Sequence, residues 1–232
     1  KTKVGGEIDT WNALFDSQFK GYATMQNEPG PTLATTAIYL KETGKQDIDN
    51  PSDMSKSEVK GVSQFLIKQK KKGQFKTFWN DFANCVDLLK SEEVLVSSCW
   101  EPIAVNAAKK GVDIHYGTMK EGHQTWNNIW MLTESGKRRG QEDKFYKLMD
   151  LYLSPWFGAR TVSIFGFTPQ MTEVYEYVES NQNYFDENEK AIIEKRLKNK
   201  AIRMSVRGNS QQNLYPKELL AYYDWWSKVQ AA

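Results

Sequence analysis

Residues 91–102, with the sequence SEEVLVSSCWEP, decide the fold prediction for this chain. Val94, Leu95 and Val96 form a β-favouring apolar run, which predicts a buried strand that ends at residues 99–101. Residues 120–128, KEGHQTWNN, bring a second tryptophan and two amides to the end of another predicted strand. An aromatic face attracts ammonium groups. The two stretches therefore indicate a cleft that captures a polar or cationic ligand, and neither carries a nucleophile or general-base pattern.

The composition is typical of a globular protein with a sizeable core. The chain has 232 residues, of which 40% are hydrophobic and 26% charged, and this length allows one or two domains. The net charge of +2, with acids and bases interspersed, argues against a nucleic-acid binder. The basic run at residues 68–72 follows an apolar run, so we interpret it as the solvated end of a helix. A membrane-surface or phosphate patch is the alternative. No stretch approaches the roughly 20 apolar residues of a transmembrane helix.

The cysteines and histidines give no metal-site pattern. Cys85 and Cys99 are too few for a disulfide scaffold and lack a zinc spacing. Two alternatives stay open for them, one disulfide bridge in an oxidising compartment or two separate buried thiols. His115 and His123 have no other His, Cys or carboxylate at ligand spacing, so we expect no His-based metal site.

Strands alternate with helices in the first half of the chain. We predict strands at residues 21–25, 75–79, 94–99 and 112–116, and helices at 9–20, 32–41, 53–72, 85–89 and 102–110. This alternation predicts an α/β layer with mostly parallel pairing. Ligands of such sheets bind outside the carboxyl ends of the strands. Those ends are Asn27-Glu28, Asn80-Asp81 and Trp100-Glu101.

The second half of the chain is predicted to be mostly helical. After Trp126 we predict one strand at residues 129–133 and then helices at 144–153, 171–179, 187–204 and 217–229. Turns are expected at 154–155, 166–169 and 208–210.

Five landmarks, taken in order, point to a known family. They are WNALFD at residues 11–16 with FKG at 19–21, the strand 93–100 ending in a tryptophan, KEG at 120–122 with WNN at 126–128, LYLSP at 151–155, and GFTP at 166–169. This ordered set resembles the extracellular solute-binding proteins of ABC transporters, in the spermidine/putrescine-binding branch. The resemblance spans nearly all of the chain.

The resemblance implies an α/β, type II periplasmic-binding-protein-like fold. It implies one largely complete lobe with C-terminal helices and a first lobe that is mostly missing. The expected division is a hinge segment at 1–20, a second lobe at 21–124, and at 125–232 a return strand with C-terminal helices that pack on the first lobe. It implies a binding protein, not an enzyme, with no cofactor.

The implied location is periplasmic or extracellular. No signal peptide is expected from the opening residues KTKVGG. The implied partners are a small solute and a membrane permease, with no nucleic acid. A homodimer is an alternative where the first lobe is absent.

The resemblance and the predicted strand ends together define a set of candidate ligand-binding residues. They are Trp100, Glu101, Trp126, Asn128, Asn27, Glu28, Asn80, Asp81 and Phe167. Each has a structural alternative: a core tryptophan, an acid or amide that caps a helix, or an aromatic that anchors a turn. Asn128 stands where the polyamine binders have Asp. Because fixed carboxylates hold protonated amines, a monocation or a neutral polar solute is an alternative to a polyamine.

Three functions are compatible with these residues. The first is the solute-binding component of an ABC importer. The second is a ligand-sensing receptor domain of the same fold. The third is an α/β enzyme, although the chain lacks a G-x-S-x-G elbow, a P-loop and a G-x-G-x-x-G fingerprint.

Overall fold

The computed structural model describes residues 8–126, 129–167 and 173–232. The strands are β1 Ala23–Gln26, β2 Phe75–Trp79, β3 Val96–Ser97, β4 Gln124–Thr125 and β5 Ser210–Gln211. The helices are α1 Pro29–Glu42, α2 Lys56–Lys71, α3 Phe82–Lys90, α4 Glu101–Lys109, α5 Glu134–Arg138, α6 Glu142–Tyr152, α7 Pro155–Phe165, α8 Val174–Ser180, α9 Glu187–Met204 and α10 Leu219–Ala231. Short 3₁₀ helices cover Trp11–Leu14, Ser17–Phe19 and Gln182–Tyr184. The chain forms two compact units, residues 1–126 with 203–232, and residues 127–202.

The first unit is organised on a three-stranded parallel sheet with the order β2-β1-β3. All four residues of the central strand β1 are buried. Thr24, one of its two polar residues, is tolerated there because its hydroxyl donates a hydrogen bond of 2.8 Å to the carbonyl of Thr77. The predicted α/β class with parallel pairing is confirmed. Because the strands are parallel, their carboxyl ends lie at one edge of the sheet.

Helices α1, α2 and α10 share one apolar core with the sheet. Met25 of β1, Leu33 of α1, Leu66 of α2 and Trp226 of α10 all belong to it. The Lys70 ammonium donates hydrogen bonds to the carbonyls of residues 229 and 230, at 3.1 and 2.6 Å, so it caps the end of α10. The last helix therefore completes the core of the sheet-bearing unit. That residues 125–232 also contact a further lobe stays a prediction.

Beside this sheet, three segments that are distant in the sequence are in contact: residues 10–11, 121–125 and 208–211. The Thr10 hydroxyl and the Trp11 backbone N–H donate hydrogen bonds to the Glu121 carboxylate, which is buried. The Trp11 indole N–H donates to the carbonyl of Gly122 at 2.6 Å. Strand β4 follows at once and pairs in parallel with β5. Gly122 has a φ of +97° and lies directly against the backbone of Gly208, where a side chain on either glycine would clash.

The second unit is helical and has its own small core. Val162 of α7, Val178 of α8 and Ile193 of α9 are buried together with Phe185. The Arg160 guanidinium joins the same elements, because it pairs with Glu189 at 2.8 Å and lies 4.9 Å above the Phe185 ring. None of the described helices in either unit combines the length and the apolar character that a membrane crossing needs.

Two of the predicted strands are wrong. Residues 112–116 form no strand, because Val112 and Ile114 pack their side chains on the cluster between α3 and α4 while their backbone joins no described strand. Residues 129–133 form none either: Ile129 and Met131 are 76% and 80% exposed, and no described strand pairs with them. The predicted strand at 94–99 is shorter, with only Val96–Ser97 in the ladder.

Helix boundaries also differ from the predictions, because the capping roles of Ser55 and Ser154 were not recognised in the sequence. Helix α2 begins after Ser55, whose hydroxyl and Glu58 form a capping box, and not at residue 53. Helix α7 replaces the turn predicted at 154–155, because Ser154 caps a helix whose first residue is proline. The predicted helix at 171–179 is described only as Val174–Ser180. Strand β5 begins at Ser210, the last residue of the turn predicted at 208–210.

The Gly122–Gly208 contact predicts the effect of Gly208→Ala. A Cβ there would collide with the backbone carbonyl of Glu121, so the backbones at residues 121–122 and 208 must move apart. We expect the free energy of unfolding to fall by about 1–3 kcal/mol, measured by urea denaturation. Gly30→Ala is the matched control, because no atom lies within 4 Å of its Cβ position. Equal stability of the two variants would contradict the contact.

Candidate functional site

The turns after β1 and β2 meet at the carboxyl edge of the sheet. Asn27 follows β1, and its backbone N–H donates to the carbonyl of Trp79 at 2.8 Å. Its side-chain amide donates to the Asn80 side-chain oxygen at 2.7 Å. The structure therefore brings together two of the predicted site residues, which are far apart in the sequence.

A third amide joins this pair from the C-terminal helix. The Gln230 side-chain N–H donates to the Asn27 side-chain oxygen at 2.8 Å. On the other side, the Asn80 backbone N–H donates to the Asn84 side chain at 3.2 Å. The sequence analysis missed Gln230, because no local pattern distinguishes it from any other polar residue in the last turn of a helix. Its place in the site depends on the docking of α10.

Trp100 stands at the end of β3 against a buried tryptophan. Its ring meets the Trp79 ring edge to face, with centroids 5.5 Å apart and planes at 85°. Trp79 is held in place by the hydrogen bond of its indole N–H to the carbonyl of Ser98, at 2.9 Å. Trp79 is thus the core tryptophan of the pair, whereas Trp100 is 38% exposed. Trp100 therefore presents part of a supported aromatic surface to solvent.

The three predicted carboxylates differ in their surroundings. Asp81 is exposed, and one oxygen accepts a hydrogen bond of 2.9 Å from the Asn84 backbone N–H, which caps α3. Glu28 is exposed at the start of α1 without a capping bond, and it accepts a hydrogen bond of 2.7 Å from the Gln26 side chain. Glu101 is only 8% exposed and lies in the first turn of α4, where the helix dipole stabilises a negative charge. Glu28 and Asp81 are therefore the two carboxylates of this edge that face solvent.

Trp126 lies beyond β4 and is 40% exposed. The preceding Gln124 side chain donates hydrogen bonds to the Pro31 carbonyl at 2.6 Å and to the Thr35 hydroxyl at 2.8 Å. These bonds fasten the strand before Trp126 to the first turns of α1, the helix that begins after Glu28.

Asn128 and Phe167 are the two remaining candidates. Asn128 lies outside the described residues. Phe167 is partly exposed and follows Gly166, the residue that ends α7, so it belongs to the second unit.

Two residues of this edge were missed besides Gln230. Phe82 is 36% exposed and directly follows Asp81 in the first turn of α3, so an aromatic next to a predicted cap was the available signal. Gln26 is buried at the end of β1 and orients Glu28 through its side-chain amide. Its signal was a polar residue inside a strand that is otherwise buried.

The structure describes no metal site and leaves both cysteines reduced. No group of three or more His, Cys, Asp or Glu side chains within the described ranges is arranged to hold a metal ion. Cys85 is a buried free thiol and Cys99 a partly buried one, so their bridge stays a prediction.

The capping bond of Asp81 predicts the stability of two variants. Asp81→Ala removes the acceptor for the Asn84 N–H, and we expect it to lower the free energy of unfolding by about 1 kcal/mol. Asp81→Ser keeps a capping oxygen without the charge, so its stability should stay close to that of the parent. Thermal melts of the three proteins test this, and equal loss in both variants would show that the cap is not the reason.

Comparison with known proteins gives a family and a fold. The profile of the family described as bacterial extracellular solute-binding protein matches residues 1–188. A comparison with curated proteins finds no match.

Among solved structures, the chain is similar to PotD from Streptococcus pneumoniae, the substrate-binding protein of a spermidine/putrescine ABC transporter. The TM-score is 0.72 at 13% sequence identity. The match covers 99% of this chain and 64% of that chain, so the chain spans less than two thirds of the length of PotD. The predicted periplasmic-binding-protein-like fold is confirmed by this likeness.

Proposed function

We propose, because the chain belongs to the family of bacterial extracellular solute-binding proteins, that it captures a small amine-bearing solute at the carboxyl edge of the β2-β1-β3 sheet. The family binds solutes and is not one of enzymes, which confirms the prediction that this chain is no enzyme. One observation carries the proposal. The parallel sheet brings the bonded pair Asn27–Asn80 and the supported, half-exposed Trp100 to one edge.

The chemistry of this edge supports an amine as the ligand. The exposed carboxylates of Glu28 and Asp81 can accept charge-assisted hydrogen bonds from an ammonium group. The face of Trp100 adds a cation–π attraction, which grows when the site is desolvated. The side chains of Asn27 and Asn80 supply neutral polar contacts to the rest of the solute. Trp126 and Glu101, which belong to the same unit, stay as candidate contacts of this ligand. The binding roles of Asn128 and Phe167 stay predictions from the sequence.

The solved neighbour supports the same class of ligand. PotD is named for spermidine and putrescine, and this chain shares its fold. Because Asn128 replaces an expected carboxylate, we favour an amine with fewer charges than spermidine. We further propose that the protein works outside the cytoplasm and delivers the solute to the permease of an ABC importer.

A ligand panel tests the proposal directly. Putrescine, spermidine, choline and a neutral sugar are each added to the full-length gene product in thermal-shift and calorimetric titrations. An amine at 100 times its dissociation constant should stabilise the fold by about 2.7 kcal/mol. Saturable binding of the sugar alone would overturn the amine assignment, and no binding of any solute would overturn the proposal.

Truncation of Trp100 tests whether the exposed face of its ring contacts the ligand. Trp100→Ala should weaken binding of the best amine by about 2- to 30-fold, the range that corresponds to a cation–π contact. Tyr22→Ala is the matched control, because Tyr22 is an exposed aromatic that precedes β1, at the opposite end of the same strand. Equal affinity of the Trp100 variant and the parent, measured by calorimetry, would remove Trp100 from the site.

Asp81→Ser tests the carboxylate separately from the helix cap. The variant keeps a capping oxygen but loses the charge, so we expect a parent-like melting temperature with an affinity for the amine lowered by about tenfold, a typical value for a charged hydrogen bond. Calorimetric titrations at two ionic strengths provide the measurement. An unchanged affinity would restrict Asp81 to its capping role.

A further inference from the structure

We infer that Cys85 and Cys99 form an intramolecular disulfide that ties α3 to the turn carrying Trp100. The bond concerns the folding and rigidity of the chain and goes beyond the capture of a solute. It does not depend on the identity of the ligand.

The geometry of the two cysteines carries this inference. Cys85 is the fourth residue of α3 and is fully buried, and Cys99 packs against the same apolar cluster directly before Trp100. The Cys85 sulfur lies 3.5 Å from the Ser97 hydroxyl, and Cys99 follows Ser97 by two residues. Cysteines whose side chains point apart cannot be joined without backbone movement. Cys85 and Cys99 share one apolar cluster, and the segments that carry them are separated in the sequence by β3.

The electrostatics of the pair agree with direct contact. The hydrogen bond from the Cys99 thiol lowers the pKa of Cys85 against the opposing effect of its burial. The same hydrogen bond, together with burial, raises the pKa of Cys99 well above its usual value. Both effects arise from an interaction between the two thiols.

The compartment and the composition favour a bond over two thiols. Members of the family are extracellular, and disulfides persist in such oxidising surroundings. The sequence contains two cysteines in total, so an intramolecular disulfide has a single connectivity. The bond closes a short loop that contains β3, and it fixes the residue next to Trp100.

The reaction needs a disulfide oxidant such as oxidised glutathione. One cysteine thiolate attacks a sulfur of the oxidant, which forms a mixed disulfide and releases one glutathione thiolate. The second cysteine then loses its proton and attacks the mixed disulfide, and the second glutathione thiolate leaves. Two electrons and two protons pass to the oxidant, which becomes two glutathione molecules. Because Cys85 is buried in the fold, we expect the bond to form while the chain folds.

Mass spectrometry of the full-length gene product tests the inference. The protein is refolded in a glutathione redox buffer, denatured without reductant and alkylated. We expect residues 85 and 99 to take up no alkyl group and a peptide map to link them. Reduction before denaturation should lower the melting temperature by about 5–10 °C, as expected for a loop of this length.

The controls distinguish the outcomes. The variant Cys99→Ser should take up one alkyl group at Cys85, and its melting temperature should not respond to reductant. Alkylation of both cysteines in the refolded parent, or a disulfide-linked dimer on a non-reducing gel, would overturn the inference. Because no solute is present, a failure here leaves the solute-binding proposal untouched, and the reverse also holds.

Discussion

The parallel pairing of β1 with both of its neighbours is the constraint on which the rest of the first unit depends. A parallel connection must carry the chain back across the sheet, and α1, α2 and α3 provide these crossings. The crossings place the turns after β1, β2 and β3 at the same edge. This topology places Asn27, Asn80 and Trp100 at one edge. In an antiparallel order they would lie at opposite ends of the sheet.

The apolar core turns this arrangement into a rigid edge. The buried Trp79 supports Trp100 from behind, and its own indole is hydrogen-bonded to the turn that follows β3. Helix α10 packs on α2 in the same core, and Gln230 in its last turn reaches Asn27. The packing of the buried core therefore fixes the positions of polar side chains at its edge. A preformed set of contacts lowers the entropy that a bound solute must lose.

The sequence predicted the positions of the strand ends better than it predicted the hydrogen bonds between their side chains. The apolar run Val94–Val96 and the position of Trp100 after it were sufficient to locate the mouth of a strand. Asp81 was recognised both as a ligand candidate and as a helix cap, and the capping bond is present. The apolar residues at 112–116 were misinterpreted as a strand, because side chains that pack a loop onto α3 and α4 have the same alternation as a strand. Hydrophobic periodicity reports which side chains are buried, and it does not report whether a neighbouring strand is available.

The contacts between distant segments had no local signal at all. Gln230 joins Asn27, and Glu121 receives hydrogen bonds from Thr10 and Trp11 at the far end of the chain. Gly208 was predicted only as a turn residue and Gly122 only as part of a family landmark, although their missing side chains allow the two backbones to touch. Such contacts depend on how completed elements pack.

The sequence by itself determined the α/β class, the strand ends that form the candidate site and the family to which the chain belongs. The class and the strand ends follow from local patterns, because burial, turn formation and helix capping are decided within a few residues. The family follows from the resemblance of five ordered landmarks to its members. Only the tertiary structure decided which of the strand-end side chains meet, that Trp100 rests on Trp79, and that Cys85 and Cys99 pack in one apolar cluster. These contacts join segments that are separated along the chain, and the packing of the core is what brings such segments together.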